Sequence, residues 1–159
     1  GLEKSEVPGR EACLPDHRNV VLYPSDDAVL LTPEWVANSD APINLMVPDG
    51  NWRQAKRTMV REAALKDTQR VRLPPGPPSR FRLRSQSHAG RVATFEAIAR
   101  ALGIIEGPAV QSVLEHVFDI MVERTLWTRG QLAPEKVTGG IPQSCIELFY
   151  GRDIEESGD

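Results

Sequence analysis

Two short apolar runs, each closed by a proline, do most to restrict the fold of this chain. Asn19–Tyr23 (NVVLY) is rich in β-branched residues and stops at Pro24, and Ile43–Val47 (INLMV) stops at Pro48-Asp49-Gly50, directly before a stretch of helical spacing. The first reads as a buried strand and the second is an apolar run of strand length, and strands alternating with helices across short Pro/Gly loops make an α/β domain. The expected architecture is a mostly parallel sheet with helices on both faces. Ligands of such sheets bind beyond the carboxyl ends of the strands, where Tyr23-Pro24-Ser25 and Pro48-Asp49-Gly50 fall.

Three helices are predicted. The first runs from about Trp52 to Ala64, capped by Asn51 with Gln54 reaching back, its apolar face Trp52, Ala55, Met59 and Ala63 set apart from Arg53, Arg57 and Arg61 at i, i+4, i+8. The second starts at a capping Thr94, with Glu96 in its first turn, and stops near Gly103. The third begins near Pro108 and carries Val110, Val113, Leu114, Val117, Phe118, Met121 and Thr125 as one stripe. Ser25–Ala28 reads as the start of a short helix, Gln69–Leu73 as a strand, and Arg80–Arg84, beyond Pro74-Pro75-Gly76-Pro77-Pro78, as a half-exposed edge strand with its arginines on one side. Residues 1–18 read as a leader or the end of an upstream segment, 19–130 as the domain, and 131–159 as a partly docked tail that frays.

The charge is unevenly distributed. The 159 residues sum to −3, yet residues 53–91 hold eleven cations against two acids, a local +9, and the rest of the chain carries −12. Fifteen of the 19 cations are Arg, which forks onto phosphate and stacks on bases, so a polyanionic partner and a merely solvated basic face are both open readings. No apolar run is long enough for a membrane span and no signal-peptide pattern opens the chain, so it reads as soluble and cytoplasmic. Cys13 and Cys145 form no CxxC pair, which suits a reducing compartment. Cys13 and His17 lack two further ligands, so no metal site is expected. No G-x-G-x-x-G, P-loop or G-x-S-x-G element is present. Asp49, between a strand end and a helix start, is either a ligand-facing acid or a turn residue capping its own helix, and Trp52 is either core or a stacking wall.

Four blocks in order carry more than their parts. Val21-Leu22-Tyr23-Pro24-Ser25-Asp26-Asp27-Ala28, Pro48-Asp49-Gly50-Asn51-Trp52-Arg53-Gln54-Ala55-Lys56, Arg82-Leu83-Arg84 and Ala93-Thr94-Phe95-Glu96-Ala97-Ile98-Ala99 together resemble the DTW-domain family of tRNA-uridine aminocarboxypropyltransferases, from about Val20 to Gly130. The family's Asp-x-Thr-Trp motif is met by Asp49, Gly50 and Trp52 with Asn51 in the Thr position, and its Ser-Thr-x-Glu-Ala block by Ala93, Thr94, Glu96 and Ala97. The family's amino-terminal Cys-rich, zinc-binding segment has no counterpart here, which fits a truncated or shortened member.

The resemblance implies a fold related to the knotted SPOUT methyltransferases. It implies transfer of the 3-amino-3-carboxypropyl group of S-adenosylmethionine to N3 of a tRNA uridine, releasing methylthioadenosine. Asp49 would then be the general base or base-orienter. Tyr23, Pro24, Ser25, Pro48, Gly50, Trp52, Thr94 and Glu96 would shape the cofactor pocket, and Arg53, Arg57, Arg61, Arg80, Arg82 and Arg84 would hold tRNA phosphates, with Trp52 or Phe81 as a stacking surface. An S-adenosylmethionine-dependent RNA methyltransferase of related fold and a catalytically silent RNA-binding module are the alternatives.

Overall fold

Among the described residues, backbone pairing builds one sheet of four parallel strands, β1 (Arg18–Leu22), β2 (Val29–Leu30), β3 (Ile43–Met46) and β4 (Gln69–Arg72), in the spatial order β2-β4-β1-β3. The computed structural model describes residues 12–50, 52–83 and 92–155, so the expected cap Asn51 and the expected RNA contact Arg84 lie outside the described residues. β1 is central: Val20 pairs with Leu45 and Gln69, and Val21 with Met46 and Arg70.

Alternation along β1 feeds two cores. Val20 and Leu22 join Leu31, Val71 and Ala101, covered by Trp35 and Val36 of α1 (Pro33–Ala37) and by Ala97, Ile104 and Ile105 of α4 (Thr94–Ile105). Val21 points the other way, to Met59 of α2 (Trp52–Arg61) and Leu65 of α3 (Ala63–Lys66). Helices therefore cover both faces, as a parallel sheet requires.

The elements between the apolar runs depart from expectation. Ser25–Ala28 is a turn closed by Ala28 N–H donating to Ser25 C=O (3.0 Å), and it leads into β2. α1 starts because the Thr32 hydroxyl accepts from Trp35 N–H (3.2 Å) with Pro33 in the first turn. The single helix expected over 52–64 is broken at Glu62, whose backbone is extended (φ −80°, ψ 107°). Residues 12–14, in the stretch read as a leader, are tied to the amino edge of the sheet: Asn19 Oδ1 accepts from Leu14 N–H and Asn44 Nδ2 (both 2.8 Å), and Asn44 Nδ2 also donates to Ala12 C=O (2.6 Å).

α4 runs past Gly103 to Ile105. Gly103 is an approach point, since a Cβ there would meet the Cβ of Gln111 on α5 (Pro108–Thr128) at 2.7 Å. The buried side of α5 overlaps the expected stripe only at its edge, through Phe118. Phe118, Val122 and Leu126 pack against Phe81, Leu83, Phe95 and Leu132, with Phe118 between the rings of Phe81 (6.0 Å) and Phe95 (5.5 Å). Val113 and Val117 are 65% and 49% exposed, and Val110 and Met121 are exposed with them. The core face is turned from the expected stripe by about one residue, ~100° of helix. Apolar residues populate most of the helix circumference, so spacing alone does not select the side that packs. Beyond α5 a short turn (Pro134–Lys136) buries Val137, and α6 (Gln143–Glu155) lays Phe149 on Trp127 at 5.0 Å.

Phe118→Ala is expected to destabilise the fold by about 3–5 kcal/mol, whereas Val113→Ala stays within about 0.5 kcal/mol; urea unfolding of the two variants measures both. Equal losses would return the expected stripe to the core.

Candidate active site

The parallel sheet brings the loops after β1 and β3 to the same edge. Val21 and Met46 are in register, so Tyr23-Pro24-Ser25 and Val47-Pro48-Asp49-Gly50 leave adjacent strands side by side. Tyr23 N–H donates to Val71 C=O (2.9 Å), which holds the first loop against the end of β4. Asp49 and Gly50 are exposed and Pro48 is half-buried. Gly50 has φ +111°, and a Cβ there would stand 2.6 Å from Gln54 Oε1, so the turn into α2 needs glycine. Trp52 is the first residue of α2; its side chain lies outside the described residues.

Behind the first loop is a cluster that sequence reasoning missed. Arg70 Nη1 pairs with Asp27 Oδ2 at 2.5 Å, while Arg70 Nε and Ser25 Oγ are both shut off from solvent without a hydrogen-bond partner. The Ser25 hydroxyl lies close to the Asp27 carboxylate. It and the Arg70 guanidinium hold Asp27 below the ordinary carboxylate range. The sequence signal is a charged residue, Arg70, in the middle of a short strand that pairs on both sides.

Thr94 and Glu96 are the first and third residues of α4. Ala93, not Thr94, is the N-cap of α4, because Glu96 reaches back to accept from Ala93 N–H (2.9 Å). The alanine has no side-chain acceptor to return the contact. Glu96 is only 3% exposed; it also accepts from Arg80 N–H (2.7 Å) and the Ser79 hydroxyl. Its carboxylate thus ties the 79–80 segment to the start of α4. Arg100 of α4 adds a second tie to Pro77 C=O (2.8 Å).

The six expected phosphate-binding arginines divide. Arg53, Arg57 and Arg61 are exposed along α2. Arg80 bridges Glu115 and Asp119 on α5 (2.8 Å each), and Arg82 meets Glu123 (3.5 Å). The expected edge strand over 80–84 is, in its described part, a strap on α5. Alternation survives, arginines outward and Phe81 and Leu83 inward, but the surface it packs against is a helix. Phe81 is a core contact of Phe118, not a free stacking surface. A groove of about 630 Å³ at the end of α5, lined by Trp127, Arg129, Leu132 and Phe149 among others, contains none of the expected site residues.

Residues 3–126 match the family model of the DTW domain. The chain belongs to the DTW-domain family. The matched span includes every strand of the sheet, both loops at its carboxyl edge and nearly all of α5. A curated relative, "tRNA-uridine aminocarboxypropyltransferase 2" of Drosophila melanogaster, is 33% identical over 105 residues, covering 58% of this chain and 41% of the relative. The chain therefore spans about two-fifths of that relative's length. No solved structure matches this DTW chain.

The DTW strap also has a measurable charge signature. Thr138, through its backbone N–H (2.7 Å) and hydroxyl, holds the Glu123 carboxyl below its ordinary 4.5, and Arg82 adds to the effect. A lowered native pKa gives stability that is complete above pH 4.5 and is lost as pH falls through the depressed value. Glu123→Gln removes that contribution, so the stability gap between parent and variant is expected to shrink from about pH 6 to about pH 3, read by urea unfolding across pH. A constant gap would show that Glu123 titrates alike in both states.

Proposed function

We propose that this chain carries the catalytic core of a tRNA-uridine aminocarboxypropyltransferase with S-adenosylmethionine as donor. The observation that carries the reading is the adjacency of the loops after β1 and β3: the two blocks richest in the family's residues, distant in sequence, leave neighbouring strands of one sheet. The relative's name supports the reaction class. With it goes kinship to the knotted SPOUT enzymes, for which the all-parallel sheet is the supporting feature.

The residues suit the donor. Shielded, unpartnered polar atoms on Ser25 and Arg70 stand ready for a polar ligand, and Gly50 leaves the turn before α2 open to close approach. Tyr23, Pro24, Ser25, Pro48, Gly50, Trp52 and Thr94 would shape its pocket, while Glu96 would act by fixing the segment that follows β4. When bound, S-adenosylmethionine supplies an electrophilic carbon beside its sulfonium; that carbon–sulfur bond breaks, a bond to uridine N3 forms, and methylthioadenosine leaves. Asp49, exposed at the end of β3, accepts the N3 proton as the new bond forms. The loops would also hold the donor so that the propyl carbon, rather than the methyl, is offered to N3.

Arg53, Arg57 and Arg61 carry the phosphate contacts in this reading, because they are exposed on the helix that starts beside Asp49. Arg80 and Arg82 are engaged by acids of α5 and contribute less.

Mass spectrometry of nucleosides from tRNA incubated with the chain and S-adenosylmethionine is expected to show the aminocarboxypropyl mass on uridine, with methylthioadenosine as by-product. Asp49→Ala should lower the rate by about 100-fold or more. A methyl mass with S-adenosylhomocysteine, or tRNA binding without modification, would overturn the assignment. Arg57→Ala should reduce the slope of log K against log salt for tRNA by about 0.7–0.9, whereas Arg80→Ala should change it less; filter binding across salt reads both.

A further inference from the structure

Arg70 and Ser25 present a problem of satisfaction. A guanidinium Nε–H and a hydroxyl, both withdrawn from water, lack partners beside the central strand, while Nη1 of the same Arg70 head pairs with Asp27 Oδ2. Buried donors are almost always satisfied, so two orphans at one edge mark the place of a polar partner that binds there. The three side chains are brought together by the fold: Arg70 is in register with Val21 on β1, and the chain after Leu22 turns back through Tyr23 and Pro24 to set Ser25 and Asp27 beside it.

The cluster has a definite charge pattern. It offers two donors, one of them cationic, next to an exposed carboxylate that is 63% accessible and kept ionised to lower pH than usual. A simple anion would meet Asp27 and a simple cation would meet Arg70. A zwitterion with carboxylate and ammonium on one carbon satisfies both. We propose that Ser25, Asp27 and Arg70 form the corner that reads an α-amino-acid group, Arg70 Nε–H and the Ser25 hydroxyl donating to its carboxylate and Asp27 accepting from its ammonium.

Resting on the functional reading above, this corner takes the amino-acid end of S-adenosylmethionine. That is the part transferred, so Arg70 and Asp27 hold the migrating group while Asp49 serves the uridine. Holding the α-carbon fixes where the far end of the propyl chain lies, and thereby which of the three carbons on sulfur is offered to N3.

Calorimetric binding separates this corner from the rest of the site. S-adenosylhomocysteine and methylthioadenosine are both neutral at sulfur and share the adenosine; only the first carries the amino-acid group. The parent chain should bind S-adenosylhomocysteine more tightly. Arg70→Gln should weaken it and S-adenosylmethionine by about 10- to 100-fold, with methylthioadenosine changed less than about 2-fold. Ser25→Ala, which removes one oxygen and little packing, and Asp27→Asn, at an exposed position, should show the same selective loss at smaller size. Loss of both ligands in parallel, or of neither, would overturn the corner while leaving the functional reading intact. Failure of the parent to bind either nucleoside would overturn both.

Discussion

Parallel pairing of β1 between β3 and β4 is the constraint from which the rest follows. Parallel strands cannot be joined by tight hairpins, so every connection must leave one end of the sheet and return to the other. That fixes all strand exits on one edge, and it requires apolar cover on both faces. The pattern of β1 answers the second requirement directly, with Val20 and Leu22 committed to one core and Val21 to the other. The candidate site is the other product of the same constraint.

Around this sheet, polar groups do the positioning. The paired asparagines Asn19 and Asn44 draw the chain before β1 onto the amino edge, and Arg18 stacks over Trp35, with its guanidinium carbon 3.3 Å from the ring centre. At the far end Arg70 fastens the β1 loop through Asp27, while Glu96 and Arg100 fasten the long segment after β4. The exposed ion pairs of Arg80 and Arg82 with α5 are individually weak, on the order of 0–1 kcal/mol each, and serve mainly to set the register of the strap.

Much of this was legible in the residues. NVVLY, closed by proline, announced the buried central strand and INLMV a second strand, which is half-buried at the edge of the sheet, and the Asp49–Trp52 turn announced the helix that follows. The face of α5 was legible only at its edge: Phe118 belonged to the expected stripe, but Val113 and Val122 are both apolar and only the packing partners of the helix decide between them. Arg80-Phe81-Arg82-Leu83 alternates in sequence as a strand does, and nothing local reveals that its acids wait on a helix more than thirty residues later. Arg70 and Asp27 are far apart along the chain, and only strand register joins them. For Glu96 the helix-start role was readable, but the backbone of Arg80 as its partner was not.

Glu96 has a further consequence for how the molecule opens. One carboxylate, nearly sealed from water, is shared by the strap, the N-cap and the first turn of α4. Lifting any one of these away leaves an acceptor buried with fewer donors, which favours the release of all three together. The strap, the start of α4 and the facing part of α5 therefore behave as one cooperative unit in native-state fluctuations, and their amides share a common opening free energy rather than fraying separately.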